Sequence, residues 1–76
     1  MMNADELRAE LATELHDVMF VYNGKNACII PHGLGKYTVD FDDVKDYSSL
    51  DALMSDKIFD GRSLNEIASK LSLGFA

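Results

Sequence analysis

The chain has 76 residues, of which 47% are hydrophobic, and 13 acidic against 7 basic residues give it a formal net charge of −6. This length fits one small domain over residues 1–76 and excludes a two-domain enzyme or an enclosed site for a large cofactor. The hydrophobic content excludes a disordered chain, and the negative charge opposes nucleic-acid binding, which depends on Lys and Arg neutralising phosphates. A domain of this size buries only about 60% of its surface on folding, so contact with a partner would add useful stability.

The N-terminal segment predicts an amphipathic helix over about residues 4–15. Asn3 and Glu6 have the spacing of a capping box, in which each side chain hydrogen-bonds to the backbone amide of the other residue. Leucines recur every four residues on one face of this helix, at Leu7, Leu11 and Leu15. The segment is acidic and lacks the basic start and apolar run of a signal peptide, so we expect a cytoplasmic protein.

The next segment predicts an antiparallel hairpin. Residues 18–22 are β-branched and aromatic, and this run is far too short to span a membrane. Asn23 and Gly24 follow it, and both tolerate the positive φ angles of a type I′ turn. The returning strand is predicted over residues 27–30, because Pro31 lacks the amide that would continue the ladder.

A third strand completes the predicted meander. After a turn at residues 32–35, residues 37–41 alternate apolar and polar side chains, as expected of a strand with one buried face. Residues 42–47 are rich in aspartate, and we predict a polar loop there.

Two short helices are predicted in the C-terminal third of the chain. Residues 48–51 form the N-terminal cap of the first of these helices, and Leu53 and Met54 lie on its inner side. Asp60-Gly61 is predicted as a turn, with Ile58 and Phe59 pointing inward. Ser63 and Glu66 have the spacing of another capping box, which starts a last helix to about residue 71. The apolar stripe of that helix consists of Leu64, Ile67, Ala68 and Leu71.

The element order α-β-β-β-α-α predicts an α+β fold, in which a three-stranded antiparallel meander packs against helices. We expect two layers, with the three helices on one face of the sheet. The alternative is three layers, with the first helix on one face and the last two on the other.

Two groups of residues carry side chains that bind metals. Asp40, Asp42, Asp43 and Asp46 suggest a Ca²⁺ loop, but Lys45 stands where an EF-hand requires glycine and Asp51 where it requires glutamate. His16 precedes the first strand of the hairpin and His32 follows the second, so antiparallel pairing brings them together with Asp17. A zinc site needs further ligands. We expect no metal and no cofactor.

No residue combination predicts catalysis. Cys28 is the single cysteine, so an internal disulfide is excluded. It lies about 13 Å from His32 along an extended strand, which is too far for a nucleophile and its base. We therefore expect a protein that is not an enzyme.

Residues 63–74 resemble the first helix and turn of a helix-turn-helix, through Glu66-Ile67-Ala68 and a later leucine and glycine. The recognition helix of that motif follows its turn, and here only two residues follow Gly74. A DNA-binding regulator is therefore the alternative function, and we expect no nucleic-acid partner.

A broader resemblance covers about residues 18–71. Residues 20–25 (Phe-Val-Tyr-Asn-Gly-Lys), 47–53 and 58–67 together resemble short uncharacterised proteins of Gram-positive bacteria and their phages or mobile elements. This resemblance implies no activity, cofactor or site residue.

The pattern of the sheet predicts a binding face. If the turn at residues 32–35 keeps Cys28 opposite Val39 and Ile30 opposite Tyr37, the core face includes Met19 and Val21. Four apolar side chains then lie on the opposite face, namely Val18, Phe20, Tyr22 and Ile29. A contiguous apolar patch of this kind is typical of an interface. The alternatives are that the first helix covers this face, or that a turn of odd length reverses the parity of one strand.

We therefore predict a non-catalytic protein–protein interaction module, either a homodimer or an accessory protein of a mobile element. Phe20 and Tyr22 are its predicted aromatic anchors. The expected partner is another protein or a second copy, with no membrane contact.

Overall fold

The computed structural model describes residues 3–71 and 74–75 of the chain. Their secondary structure consists of α1 (Ala4–Ala12), β1 (Val18–Tyr22), β2 (Lys25–Gly33), β3 (Lys36–Phe41), β4 (Asp43–Tyr47), α2 (Leu50–Ser55), α3 (Leu64–Ile67), a 3₁₀ turn (Ala68–Lys70) and β5 (Gly74–Phe75). The α+β class is as predicted.

The sheet is antiparallel and has the strand order β4-β3-β2-β1-β5. The predicted three-stranded meander has a fourth strand, because residues 43–47 form β4 where a loop was expected. Asp42 has a φ of 60° and turns the chain sharply between β3 and β4. The prediction missed β4 because its aspartates and lysine have low strand propensity, although charged side chains are common on an edge strand.

β2 extends beyond the predicted end at residue 30. Pro31 lies inside the strand opposite Tyr37, and the register shifts between Pro31 and Gly33. A proline is tolerated at such a β-bulge because the ladder of hydrogen bonds is already interrupted there.

This bulge reverses the predicted faces of the sheet. The Asn23-Gly24 turn gives the expected register, with Met19 opposite Cys28. In the second hairpin, however, Cys28 lies opposite Asp40 rather than Val39, because β2 contains one extra residue, His32, before the turn. A shift of one residue moves every side chain of a strand to the other face. The alternative of reversed parity is therefore the one observed.

The predicted interface residues consequently belong to the core. Val18, Phe20, Tyr22 and Ile29 are at most 8% exposed and belong to the hydrophobic core. Their assignment to a free binding face is wrong, since buried side chains are not available to a partner.

The helices differ from the prediction mainly in length. α1 ends at Ala12, and Glu14 has a φ of 51°, so the chain leaves the helix before Leu15. Leu15 is therefore 74% exposed and does not continue the buried stripe. The capping box of Ser63 and Glu66 is confirmed, although α3 continues as a 3₁₀ turn rather than an α-helix.

The core lies between one face of the sheet and the helices. Phe59 is fully buried, with its ring centroid 5.6 Å from that of Phe20 and 4.9 Å from that of Phe41. The buried hydroxyl of Tyr37 donates a 2.9 Å hydrogen bond to the Leu11 carbonyl oxygen at the end of α1. Buried leucines of all three helices belong to this one cluster, or pack against it. This arrangement corresponds to the predicted two layers and leaves the other face of the sheet uncovered by these helices.

Candidate functional site

The candidate site is the face of the sheet that points away from the helices, which we call the open face. Two rows of directly opposed residues cross it, and a further pair lies beside the first row. The rows are Met19, Cys28, Asp40 and Val44, then Ile30, Thr38 and Asp46, with the pair Val21 and Asn26.

The open face is more apolar than the solvated side of a two-layer fold usually is. Val21 and Met19 are 59% and 40% exposed, and Cys28 and Ile30 are half-buried on the adjacent strand. Val44 is 67% exposed but lies on the far side of Asp40. Single exposed apolar residues are ordinary on a protein surface, but neighbouring ones on adjacent strands form a patch. A patch of this kind is typical of an interaction surface.

An open groove of about 780 Å³ runs along this face beside β1 and β2. Met19, Val21 and Cys28 form its apolar part, and Asp40 and Lys70 add opposite charges to its lining. Backbone and side chains of three strands thus build one continuous surface, which could hold a side chain or short segment of another protein.

Cys28 contributes to this groove as an apolar side chain. Burial raises the pKa of its thiol, and the negative charges of Asp17 and Asp40 raise it further. The thiol is therefore protonated at neutral pH and is a poor nucleophile.

A hydrogen-bonded chain of polar side chains lies at one end of the open face. The Thr38 hydroxyl donates to Oδ1 of Asp46 at 2.6 Å, and Nε2 of His32 lies 2.5 Å from the same hydroxyl oxygen. A nucleophilic threonine would need its proton directed to a base that a third group orients. Here the hydroxyl donates its hydrogen bond to the carboxylate of Asp46, and we interpret the chain as a link between β2, β3 and β4.

The aspartates considered as metal ligands are dispersed by the fold. Asp40 and Asp46 lie on the open face, whereas Asp42 accepts a 2.9 Å hydrogen bond from Nζ of Lys25. The same ammonium group donates at 3.1 Å to Asp60, so Lys25 occupies the space between these two carboxylates. Within residues 3–71 and 74–75, no three His, Cys, Asp or Glu residues lie close enough together to hold a metal ion.

The strand residues of the open face carry a negative charge, which Lys70 at the edge of the groove offsets in part. Of the nine side chains in its rows and pair, Asp40 and Asp46 are acidic and none is basic. Complementary charges favour a partner that presents lysine or arginine beside apolar side chains.

Sequence reasoning missed the residues of this site because it assigned the opposite parity. Met19, Val21 and Cys28 were placed in the core, and Val44 was placed in a loop. Gly33 and Gly35, on either side of Leu34, are the one signal of an irregular turn there. They do not determine which of the two strands contains the bulged residue.

The helix-turn-helix-like segment is used for packing. α3 has four residues, and Leu64, Ile67 and Ala68 are buried in the core. Residues 72 and 73, which belong to the predicted turn of that motif, lie outside the described residues.

Comparisons with protein-family models, curated proteins and solved structures find no match to this chain. The resemblance to short proteins of Gram-positive bacteria and their mobile elements therefore stays a prediction. Across residues 3–71 and 74–75, the helices are all too short or too polar to cross a membrane.

Proposed function

We propose that this protein is a non-catalytic protein–protein interaction module that binds a partner through its open face. The observation that carries the proposal is the patch formed by exposed Met19 and Val21 with half-buried Cys28, on a face that the helices leave uncovered. The protonated thiol of Cys28 and the interlinked polar groups of His32 and Thr38 support binding rather than catalysis.

The size of the open face favours a small contact. Four strands spaced about 4.8 Å apart are about 19 Å wide, and five residues of strand are about 17 Å long. This gives a flat area of roughly 300 Å², which is less than the ~800 Å² that each partner contributes to a standard interface. The open face therefore suits a loop or one helix of a partner, held in a weak and reversible complex.

The charge of the face defines the chemistry of that partner. Asp40 and Asp46 flank apolar side chains, so the matching segment carries apolar residues next to lysine or arginine. Two open faces packed against each other would instead bring four carboxylates together, which opposes a symmetric face-to-face dimer.

A pair of charge-matched variants tests the proposal. Val21→Lys places a charged side chain in the patch, whereas Ala9→Lys makes the same charge change at an exposed position of α1, on the helical layer. We expect immobilised wild type and Ala9→Lys to retain the same protein from a cell extract, and Val21→Lys to lose it.

Binding of that protein in purified form is then mapped by amide chemical shifts. The proposal requires the shifts to fall on the open face, at residues such as Met19 and Thr38. Retention by Val21→Lys equal to that of the wild type, or shifts confined to the helices, would contradict it.

A further inference from the structure

The turn between β2 and β3 presents a leucine at a position that suits neither its side chain nor its backbone. Leu34 is 95% exposed and has a φ of 58°, between Gly33 at 85° and Gly35 at 77°. The left-handed conformation is costly for a bulky residue, and asparagine or glycine would be favoured there. Strain of this kind, combined with full exposure, indicates a functional role for the side chain.

A second exposed leucine lies in the adjoining loop. Leu15 is 74% exposed, and the carboxylate of Glu14 beside it accepts a 3.1 Å hydrogen bond from the backbone amide of Gly35. This bond joins the α1–β1 loop to the β2–β3 turn, so both leucines are presented from one end of the molecule. We call Leu15 and Leu34 the leucine tip.

The leucine tip carries one lysine. Lys36 is exposed two residues after Leu34, and Asp17 lies two residues after Leu15. The one carboxylate close to Leu34 in the described contacts, that of Glu14, is engaged with the Gly35 amide. The tip therefore combines apolar side chains with a lysine, which is the chemistry that the open face requires.

Leu34 cannot reach the groove of its own molecule. Cys28 in the groove and Gly33 at the turn are five residues apart on β2, which corresponds to about 17 Å of extended strand. Leu34 can therefore enter this groove only in a different copy.

We propose that the leucine tip of one copy docks on the open face of a second copy. This inference rests on the proposed function, because it names an occupant for the same surface. Leu34 enters the groove beside Met19 and Val21, and Lys36 faces the carboxylates of Asp40 and Asp46. The contact is heterologous, so a dimer keeps one free tip and one free face, and assembly continues beyond the dimer unless a ring closes.

The association is tested by sedimentation velocity and light scattering at protein concentrations up to about 1 mM, where contacts of this small area are expected to form. The wild type should increase in mass with concentration and pass beyond the dimer. Leu34→Asn introduces a residue that accepts the left-handed conformation more readily than leucine, so the thermal midpoint of the variant should be no lower than that of the wild type. Its association should fall about ten- to hundredfold, as expected for the loss of one buried leucine. Leu34→Gly serves as a second variant with the same backbone preference.

Mixing two defective variants separates this contact from any symmetric one. Leu34→Asn retains the open face and Val21→Lys retains the tip, so each should be monomeric alone. An equimolar mixture should form a heterodimer that grows no further. A wild type that stays monomeric at every concentration, a closed dimer insensitive to Leu34→Asn, or a mixture that remains monomeric would each overturn the inference. If self-association is absent but Leu34→Asn still retains from extract the protein that Val21→Lys loses, the proposed function holds and only this inference fails.

Discussion

The substitution Phe20→Ser tests which face of the sheet forms the core. Phe20 is 4% exposed, and its ring lies 5.6 Å from that of Phe59. Truncating a buried phenylalanine to alanine costs about 3–5 kcal/mol, and a buried hydroxyl without a partner costs about 1–3 kcal/mol more. A domain of 76 residues has a total stability of about 4–11 kcal/mol, so we expect Phe20→Ser to be largely unfolded.

The neighbouring residue supplies the control. Val21 follows Phe20 on the same strand but lies on the open face, where it is 59% exposed. Val21→Ser removes strand propensity and little buried area, so its cost should be about 1 kcal/mol or less. In urea unfolding followed by far-UV circular dichroism, this corresponds to a midpoint lowered by about 1 M at most.

We expect Val21→Ser to unfold cooperatively, and Phe20→Ser to lack a cooperative transition and to give a collapsed amide spectrum. A folded Phe20→Ser together with an unfolded Val21→Ser would show that the parity described here is reversed.

Three further predictions concern pH, capping and nucleic acid. Hydrogen bonds from Lys45 and, to a smaller extent, Tyr47 lower the pKa of Asp56 below its ordinary 3.8. Ionised Asp56 therefore stabilises the fold above that pH, and this contribution is lost as the pH falls through the pKa of the folded state. Asp56→Asn should flatten the dependence of the thermal midpoint on pH in this acidic range, and an unchanged profile would contradict the prediction. Ser63→Ala removes a cap that is 4% exposed and should cost about 1 kcal/mol, or about 4–8 °C in thermal midpoint, whereas the exposed Ser69→Ala should change little. The wild type should show no saturable binding to duplex DNA at physiological salt in fluorescence anisotropy, since its net charge is −6, and salt-dependent binding at micromolar protein would refute this.

Elements specified by neighbouring residues could be predicted well from the sequence. Asn23-Gly24 sets both the turn and the register of the first hairpin, because both residues tolerate a positive φ and the loop has only two residues. Ser49 and Ser63 mark the starts of α2 and α3, because their hydroxyls accept from backbone amides three residues later. These signals act over a few residues, so no distant contact is needed to interpret them.

Elements that depend on distant contacts were predicted less well. β4 contains three charged residues and forms because it pairs with β3, with Val44 opposite Asp40 and Tyr47 opposite Tyr37. α1 ends early because the chain turns at Glu14, whose carboxylate binds the Gly35 amide in another part of the sequence. Neither contact is visible in the local pattern of apolar residues.

The sequence by itself therefore determined the α+β class, the first hairpin and its register, and the alternation that gives β3 one apolar and one mixed face. Only the tertiary structure decided which face is buried. A single bulged residue, His32, shifts β3 against β2 by one position, and the helices cover the face that holds Phe20 and Ile29. Because side chains alternate with a period of two, that one residue exchanges core and surface, and with them the candidate binding site.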